Sequence, residues 1–220
     1  MIKACIFDMD GTVLDTITTI TYFVNETLKK FEIPEISEDE CKIFVGNGAR
    51  ILIERTLKSR GIEDEKLIST VLDAYNAAYD ANPTYKTEPF SGIPELLAEL
   101  KARKIKVGIV SNKPDFITRP LSVRSFGELV DLTFGGKEGV PLKPAPDAVL
   151  SMLKEFGVEA SECVYVGDTG VDMQTGKNLK ARLTVGVTWG FRSLAELLEN
   201  GADVTVNSPD EILREVLRLD

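Results

Sequence analysis

The stretch CIFDMDGT (residues 5–12) drives an apolar run straight into two carboxylates, Asp8 and Asp10, and follows them with Gly11 and Thr12. A run without polar alternation fits a strand buried on both faces, which is the condition of a parallel sheet covered by helices. Similar runs recur as KVGIVSN (106–112), ECVYVGD (162–168), LTVGV (183–187) and ADVTV (202–206). Between them lie helical patterns at 93–104, 146–157, 193–201 and 209–219, each opening near a Ser, Pro or Asp start signal. Strand–helix alternation of this kind predicts an α/β fold, a doubly wound, Rossmann-like parallel sheet.

One interval breaks the alternation. From Thr16 to Asn82 the sequence offers helical candidates only, at 16–31, 38–45, 49–61 and 65–80. That is too much chain for one crossover between parallel strands, which typically carries a single helix. The expected organisation is an α/β core at 1–15 and 83–220, with an inserted α-helical cap domain at 16–82.

Composition narrows the chemistry. The chain has 220 residues, 43% of them hydrophobic, enough for a sizeable core. Its net charge of −9 and the lack of a basic run argue against nucleic acid or an anionic membrane as partner. No stretch approaches the ~20 apolar residues that span a bilayer, and the N-terminal apolar run is too short for a signal peptide. Three widely spaced cysteines, Cys5, Cys41 and Cys163, without a CxxC pair, fit reduced thiols and a cytoplasmic location. The chain contains no histidine, which excludes Ser-His-Asp and Cys-His machinery, HExxH zinc sites and a histidine acid/base.

In a doubly wound sheet, ligands bind outside the carboxyl ends of the strands. The polar residues ending the strand candidates therefore converge: Asp8 and Asp10, Ser111 and Asn112, and Asp168, with Asp172 four residues on in GDTGVD. A loop supplies Lys143, in PLKPAPD. Any one of these aspartates alone reads as a helix cap or turn residue. Together they are a crowd of carboxylates that needs a counter-cation, and oxygen ligands with a few carboxylates plus phosphate suit Mg²⁺.

DMDGT (8–12), a strand ending in Ser111, Lys143 ahead of PAPD, and GDTGVD (167–172) resemble the four motifs of the haloacid dehalogenase superfamily, in order and over the whole chain. The resemblance implies a Mg²⁺-dependent phosphohydrolase working through an aspartyl-phosphate. Asp8 is the implied nucleophile, which splits one hard step into two. Asp10, two residues on and so on the same side of an extended chain, is the implied general acid and then base. Gly11 would admit the phosphate to the backbone, and Ser111 with the backbone at Asn112 would hydrogen-bond the transferring phosphoryl. Lys143 would stabilise the charged transition state. Mg²⁺ would be held by Asp8, the Asp10 carbonyl and Asp168, with Asp172 bound directly or through water.

The carboxylate at position 10 points away from dehalogenation, because a departing halide needs no proton. Sugar phosphomutases share the DxDG and KPAPD elements but typically use a cap-hinge histidine. A phosphonate hydrolase would need a cap lysine in a Schiff base, and Lys29, Lys30, Lys42 and Lys58 sit in no persuasive context. A phospho-acceptor signalling domain, the reading from another class, places its acceptor after an internal strand and lacks an inserted cap. The helical insert, GNGAR (46–50) and WGFRS (189–193) resemble the phosphoglycolate phosphatase branch, some similar members of which hydrolyse pyrophosphate. The segment TITTI after Asp15 departs from the Ser-x-Pro common there. The expected partner is a small phosphorylated metabolite, and the expected state a monomer or small homo-oligomer. GNGAR reads as a helix-start turn rather than a dinucleotide loop, with Arg50 as a candidate substrate contact. The WGFRS segment receives no role.

Overall fold

The computed structural model describes residues 1–219. It divides into two compact units, Met1–Asp15 with Glu88–Asp220, and Thr16–Thr87.

The first unit is built on a sheet whose central strand is Ala4–Phe7 (β1), fully buried along its length. Leu14–Asp15 (β2) pairs antiparallel with Glu88–Pro89 (β3) where the chain leaves and re-enters this unit. The strands Lys106–Pro114 (β4), Leu132–Gly136 (β5), Cys163–Gly167 (β6), Leu183–Val187 (β7) and Val204–Val206 (β8) complete the main sheet. Its order is β5-β4-β1-β6-β7-β8, and every pairing is parallel. The chain therefore winds outward on one side of β1, crosses back, and winds outward on the other. That reversal puts the crevice of a doubly wound sheet at the carboxyl end of β1, between β4 and β6.

The second unit is helical: Ile17–Lys30 (α1), Glu38–Phe44 (α2), Ala49–Lys58 (α3) and Glu65–Ala81 (α4). A capping box between Ser37 and Glu40 starts α2, and the Asp64 carboxylate caps α4 through Leu67 N–H at 2.7 Å. GNGAR leads into α3, with Gly48 as its N-cap and both Gly46 and Gly48 at positive φ. Leu52 and Leu57 of α3 are buried and Ile51 is half-buried. The unit extends past residue 82, where the sequence pattern ends, to Thr87. Thr19 of α1 explains the difference, since its hydroxyl donates to the Tyr85 carbonyl and lies 3.0 Å from the Thr87 hydroxyl.

The remaining helices are Ile93–Ala102 (α5), Asp115–Phe126 (α6), Asp147–Phe156 (α7), Gly170–Leu179 (α8), Leu194–Glu199 (α9) and Pro209–Arg218 (α10). Val149, Met152 and Leu153 of α7 and Leu179 of α8 pack with Ala4, Ile6, Val110, Cys163 and Tyr165 into one buried cluster. All three cysteines are buried, and none forms a disulfide. Among the described residues, no helix is long and apolar enough to cross a membrane.

Three elements of the core are not evident in the sequence pattern. α6 carries Pro120 in its interior, a residue that normally ends a helix. β5 is a half-buried edge strand with two glycines, Gly135 and Gly136. α8 is too polar and glycine-containing for an apolar stripe to announce it. β4 also runs on past Asn112 to Pro114, with an irregular register after Val110. That irregularity takes Ser111, Asn112 and Lys113 out of the regular ladder.

Candidate active site

The end of β1 delivers Asp8 into the switch-point crevice, where it is 7% exposed. Lys143 reaches it from the loop before α7, with Nζ 2.6 Å from Asp8 Oδ1 and 2.7 Å from Asp172 Oδ1. Asp168 follows β6, and Asp172 lies in the first turn of α8. One oxygen each from Asp8, Asp168 and Asp172 fall within 4.8 Å of one another.

Each carboxylate is held by its own partners. Asp168 accepts the Thr12 hydroxyl at 3.0 Å and the Phe191 N–H at 2.8 Å. Asp172 accepts the Tyr165 hydroxyl at 3.2 Å, the Thr169 hydroxyl at 2.6 Å and the Thr169 N–H at 3.1 Å, beside the Lys143 ammonium. Its contacts with Thr169 also form the capping box of α8, so one residue starts the helix and anchors the lysine. Asp10 stands apart from this trio; its Oδ1 is 2.8 Å from Lys113 Nζ.

Three glycines make room for these acids. Gly11 has φ +80°, and a Cβ there would lie 2.4 Å from Asp168 Oδ2. A Cβ on Gly190 would lie 2.2 Å from the Asp168 Cβ, and one on Gly167 would lie 2.2 Å from the Asp172 Cβ. Gly11, expected to admit phosphate, is thus required first by Asp168.

On the β4 side, Ser111 Oγ accepts the Lys113 N–H at 3.1 Å, which leaves its own hydroxyl proton to donate. The Asn112 side chain makes a reciprocal pair with the Lys143 backbone, 3.1 Å to its carbonyl and 2.8 Å from its N–H. Its amide therefore fixes the root of the catalytic lysine candidate. Arg50 belongs to the helical unit, where its guanidinium is paired with Glu54 and Glu65.

The electrostatics follow from burial. Burial and the charge of Asp172 push the Asp8 carboxyl up to about 7, against the pull of Lys143. Burial, then Asp172 and Asp8, push Asp168 well above the ordinary carboxylate range. Burial alone would lower the Lys143 ammonium, yet Asp172 and Asp8 hold it well above its usual value. One ammonium is too little for three buried carboxylates, so Asp8 and Asp168 hold on to protons that a cation could replace, and the converging donors are all oxygen. That donor set fits a hard divalent cation such as Mg²⁺.

The sequence pointed to no role for Lys113, Tyr165, Thr12 or Thr169, or for Gly190 and Phe191 of WGFRS. Thr12 and Thr169 lie inside the quoted motifs and Lys113 directly follows Asn112, so proximity was the available signal. Tyr165 is concealed because its body is an ordinary strand residue in a buried run. Trp189 also acquires a contact, its indole N–H donating to the Thr12 carbonyl at 3.1 Å.

A parallel doubly wound core whose central strand ends in a buried Asp, facing a lysine and two further acids, defines a hydrolase of the haloacid dehalogenase type. The haloacid dehalogenase-like hydrolase family model matches residues 5–185, and this chain belongs to that family. It is 29% identical over 213 residues to a phosphoglycolate phosphatase of Aquifex aeolicus (strain VF5), covering 96% of this chain and 95% of that protein. It is 31% identical over 185 residues to a phosphoglycolate phosphatase of Rhodospirillum rubrum, covering 80% and 76%. A crystal structure from Lactobacillus delbrueckii subsp. bulgaricus, provisionally labelled a phosphoglycolate phosphatase, superposes with TM-score 0.93 at 30% identity over 97% and 98% of the two chains.

Proposed function

We propose that this chain is a Mg²⁺-dependent phosphatase of small phosphomonoesters, with 2-phosphoglycolate as its preferred substrate and an aspartyl-phosphate at Asp8 as its intermediate. The observation that carries the reading is the placement of Asp8: at the carboxyl end of the central strand, against Lys143 at 2.6 Å, beside Asp168 and Asp172. The names of the similar proteins support the substrate.

In this reading one Asp8 carboxylate oxygen attacks phosphorus, and the bond to the leaving oxygen breaks. Lys143 offsets the charge that gathers as two anions approach, and its two aspartate contacts keep it from turning away. The Ser111 hydroxyl, with the backbone at Asn112, binds the phosphoryl oxygens. Asp10 gives a proton to the leaving oxygen, then takes one from the water that hydrolyses the acyl phosphate. Asp8, the Asp10 backbone carbonyl and Asp168 would hold Mg²⁺, with Asp172 behind them; the ion would supply positive charge to the phosphoryl group. Asp172, saturated by Lys143, Tyr165 and Thr169, acts chiefly as the anchor of the lysine.

Phosphate release from a panel of small phosphate esters and pyrophosphate, with Mg²⁺ or with EDTA, tests this. Turnover that needs Mg²⁺ and is fastest on 2-phosphoglycolate is expected. Full activity in chelator would refute the metal assignment, and no preference for 2-phosphoglycolate would refute the substrate.

A further inference from the structure

We propose that Lys113 is a positioning residue for Asp10, fixing the carboxylate that exchanges protons with the leaving group and the attacking water. The inference rests on the acid/base role given to Asp10 above. Lys113 is no surface lysine: its side chain is 8% exposed, that of Asp10 is 15% exposed, and Nζ lies 2.8 Å from Oδ1. Bringing an ammonium out of water is costly, so a buried pair is a geometric constraint more than a source of stability.

The root of the lysine is pinned at three places. Its N–H donates to Ser111 Oγ at 3.1 Å, and its carbonyl accepts the Thr118 hydroxyl of α6 at 3.0 Å. Its carbonyl also packs against Gly135 of β5, where a Cβ would come within 2.7 Å. β4, β5 and α6 thus converge to aim one ammonium at Asp10. A general acid must stand within hydrogen-bond reach of the oxygen it protonates, and a misplacement of about 1 Å costs on the order of 10²-fold.

The step the pair serves is balanced. As the Asp8 oxygen–phosphorus bond forms and the ester phosphorus–oxygen bond breaks, the Asp10 proton passes to the leaving oxygen. When water then attacks phosphorus and the acyl phosphate bond breaks, Asp10 recovers a proton from that water. Lys113 keeps the carboxylate in one place through both halves and exchanges no proton itself.

The test compares phenyl phosphate, whose leaving group needs a proton, with p-nitrophenyl phosphate, whose leaving group departs as a stable anion. Wild type, Lys113→Met, Lys113→Arg, Asp10→Asn and the Lys113→Met/Asp10→Asn double variant are assayed as full chains with Mg²⁺. Lys113→Met should lose about 10²-fold in kcat on phenyl phosphate, with a loss at least about tenfold smaller on p-nitrophenyl phosphate. Lys113→Arg should recover part of the selective loss, and the double variant should be no slower than Asp10→Asn. Equal losses on both esters, or a double variant slowed by both factors multiplied, would overturn the inference. Selectivity in Asp10→Asn without selectivity in Lys113→Met overturns the inference alone. No selectivity in Asp10→Asn overturns the acid/base assignment as well. Should circular dichroism show that Lys113→Met does not fold, Lys113→Ala, which also removes the donor to Asp10, takes its place under the same criteria.

Discussion

Replacing Lys143 by Met removes the one ammonium that faces Asp8 and Asp172, at 2.6 and 2.7 Å, while keeping most of the side-chain volume. Both carboxylates are then left buried without their counter-charge. Removing one partner of a buried pair typically costs about 3–5 kcal/mol, and in a chain of this length each kcal/mol shifts Tm by about 2–4 °C. Lys143→Met should therefore melt about 6–20 °C below the wild type in EDTA near neutral pH. The loss carries a pH signature. Burial and Asp172 raise the Asp8 carboxyl from 3.8 to about 7 even with Lys143 present. Across that window the folded protein holds a proton that the unfolded chain releases, so stability falls as pH rises. Without Lys143, which pulls the value down, the window extends upward. The deficit should be larger near pH 8 than near pH 5, and Mg²⁺ should recover part of it. Melting curves at the two pH values, with EDTA or Mg²⁺, make the measurement. A variant within about 2 °C of wild type at pH 8 in EDTA, or a larger deficit at pH 5, would refute the reasoning.

Gly190→Ala should place a methyl 2.2 Å from the Asp168 Cβ, costing about 1–3 kcal/mol and raising the Mg²⁺ concentration for half-maximal activity about tenfold; a magnesium titration of activity and a melting curve check it. Asp131→Asn tests a structural carboxylate. Burial penalises its charge, but Lys101 at 2.8 Å, the Val107 N–H at 2.8 Å and Lys106 hold its carboxyl below the ordinary value. The contribution, about 1 kcal/mol after solvent screening, is present above the ordinary carboxylate range and lost as pH falls through the lowered value, so the variant and wild-type melting temperatures should converge in acid. Tyr165→Phe removes a donor to Asp172 and should cost about 1 kcal/mol in stability; a loss near zero would show that the phenol does not anchor this acid.

The sequence made the architecture visible wherever hydrophobic pattern and position agree. Ala4–Phe7, Cys163–Gly167 and Leu183–Val187 are apolar without alternation because both of their faces are covered, and each was legible for that reason. Pro120 hid α6 and the glycines of β5 hid an edge strand, because both violate local propensity for the sake of tertiary contacts. Thr118 of α6 bonds the Lys113 and Pro114 carbonyls, and Gly135 accommodates the Asp115 backbone within 2.5 Å of a would-be Cβ. The candidate site was legible as residue types at strand ends. Its supporting contacts were not, since the pairing of Lys113 with Asp10 spans 103 positions and that of Thr12 with Asp168 spans 156. No local spacing reports such distances. Arg50 shows the same limit, because its ion pairs with Glu54 and Glu65 are not readable from a charge beside a glycine turn.

The central claim is that Asp8 carries the phosphoryl group. Enzyme turning over 2-phosphoglycolate with Mg²⁺ is quenched, treated with borohydride to reduce any acyl phosphate, and digested for mass spectrometry. Homoserine at position 8, with Asp10, Asp168 and Asp172 intact, is the predicted result. Homoserine at another position, or none while phosphate is being released, would contradict it.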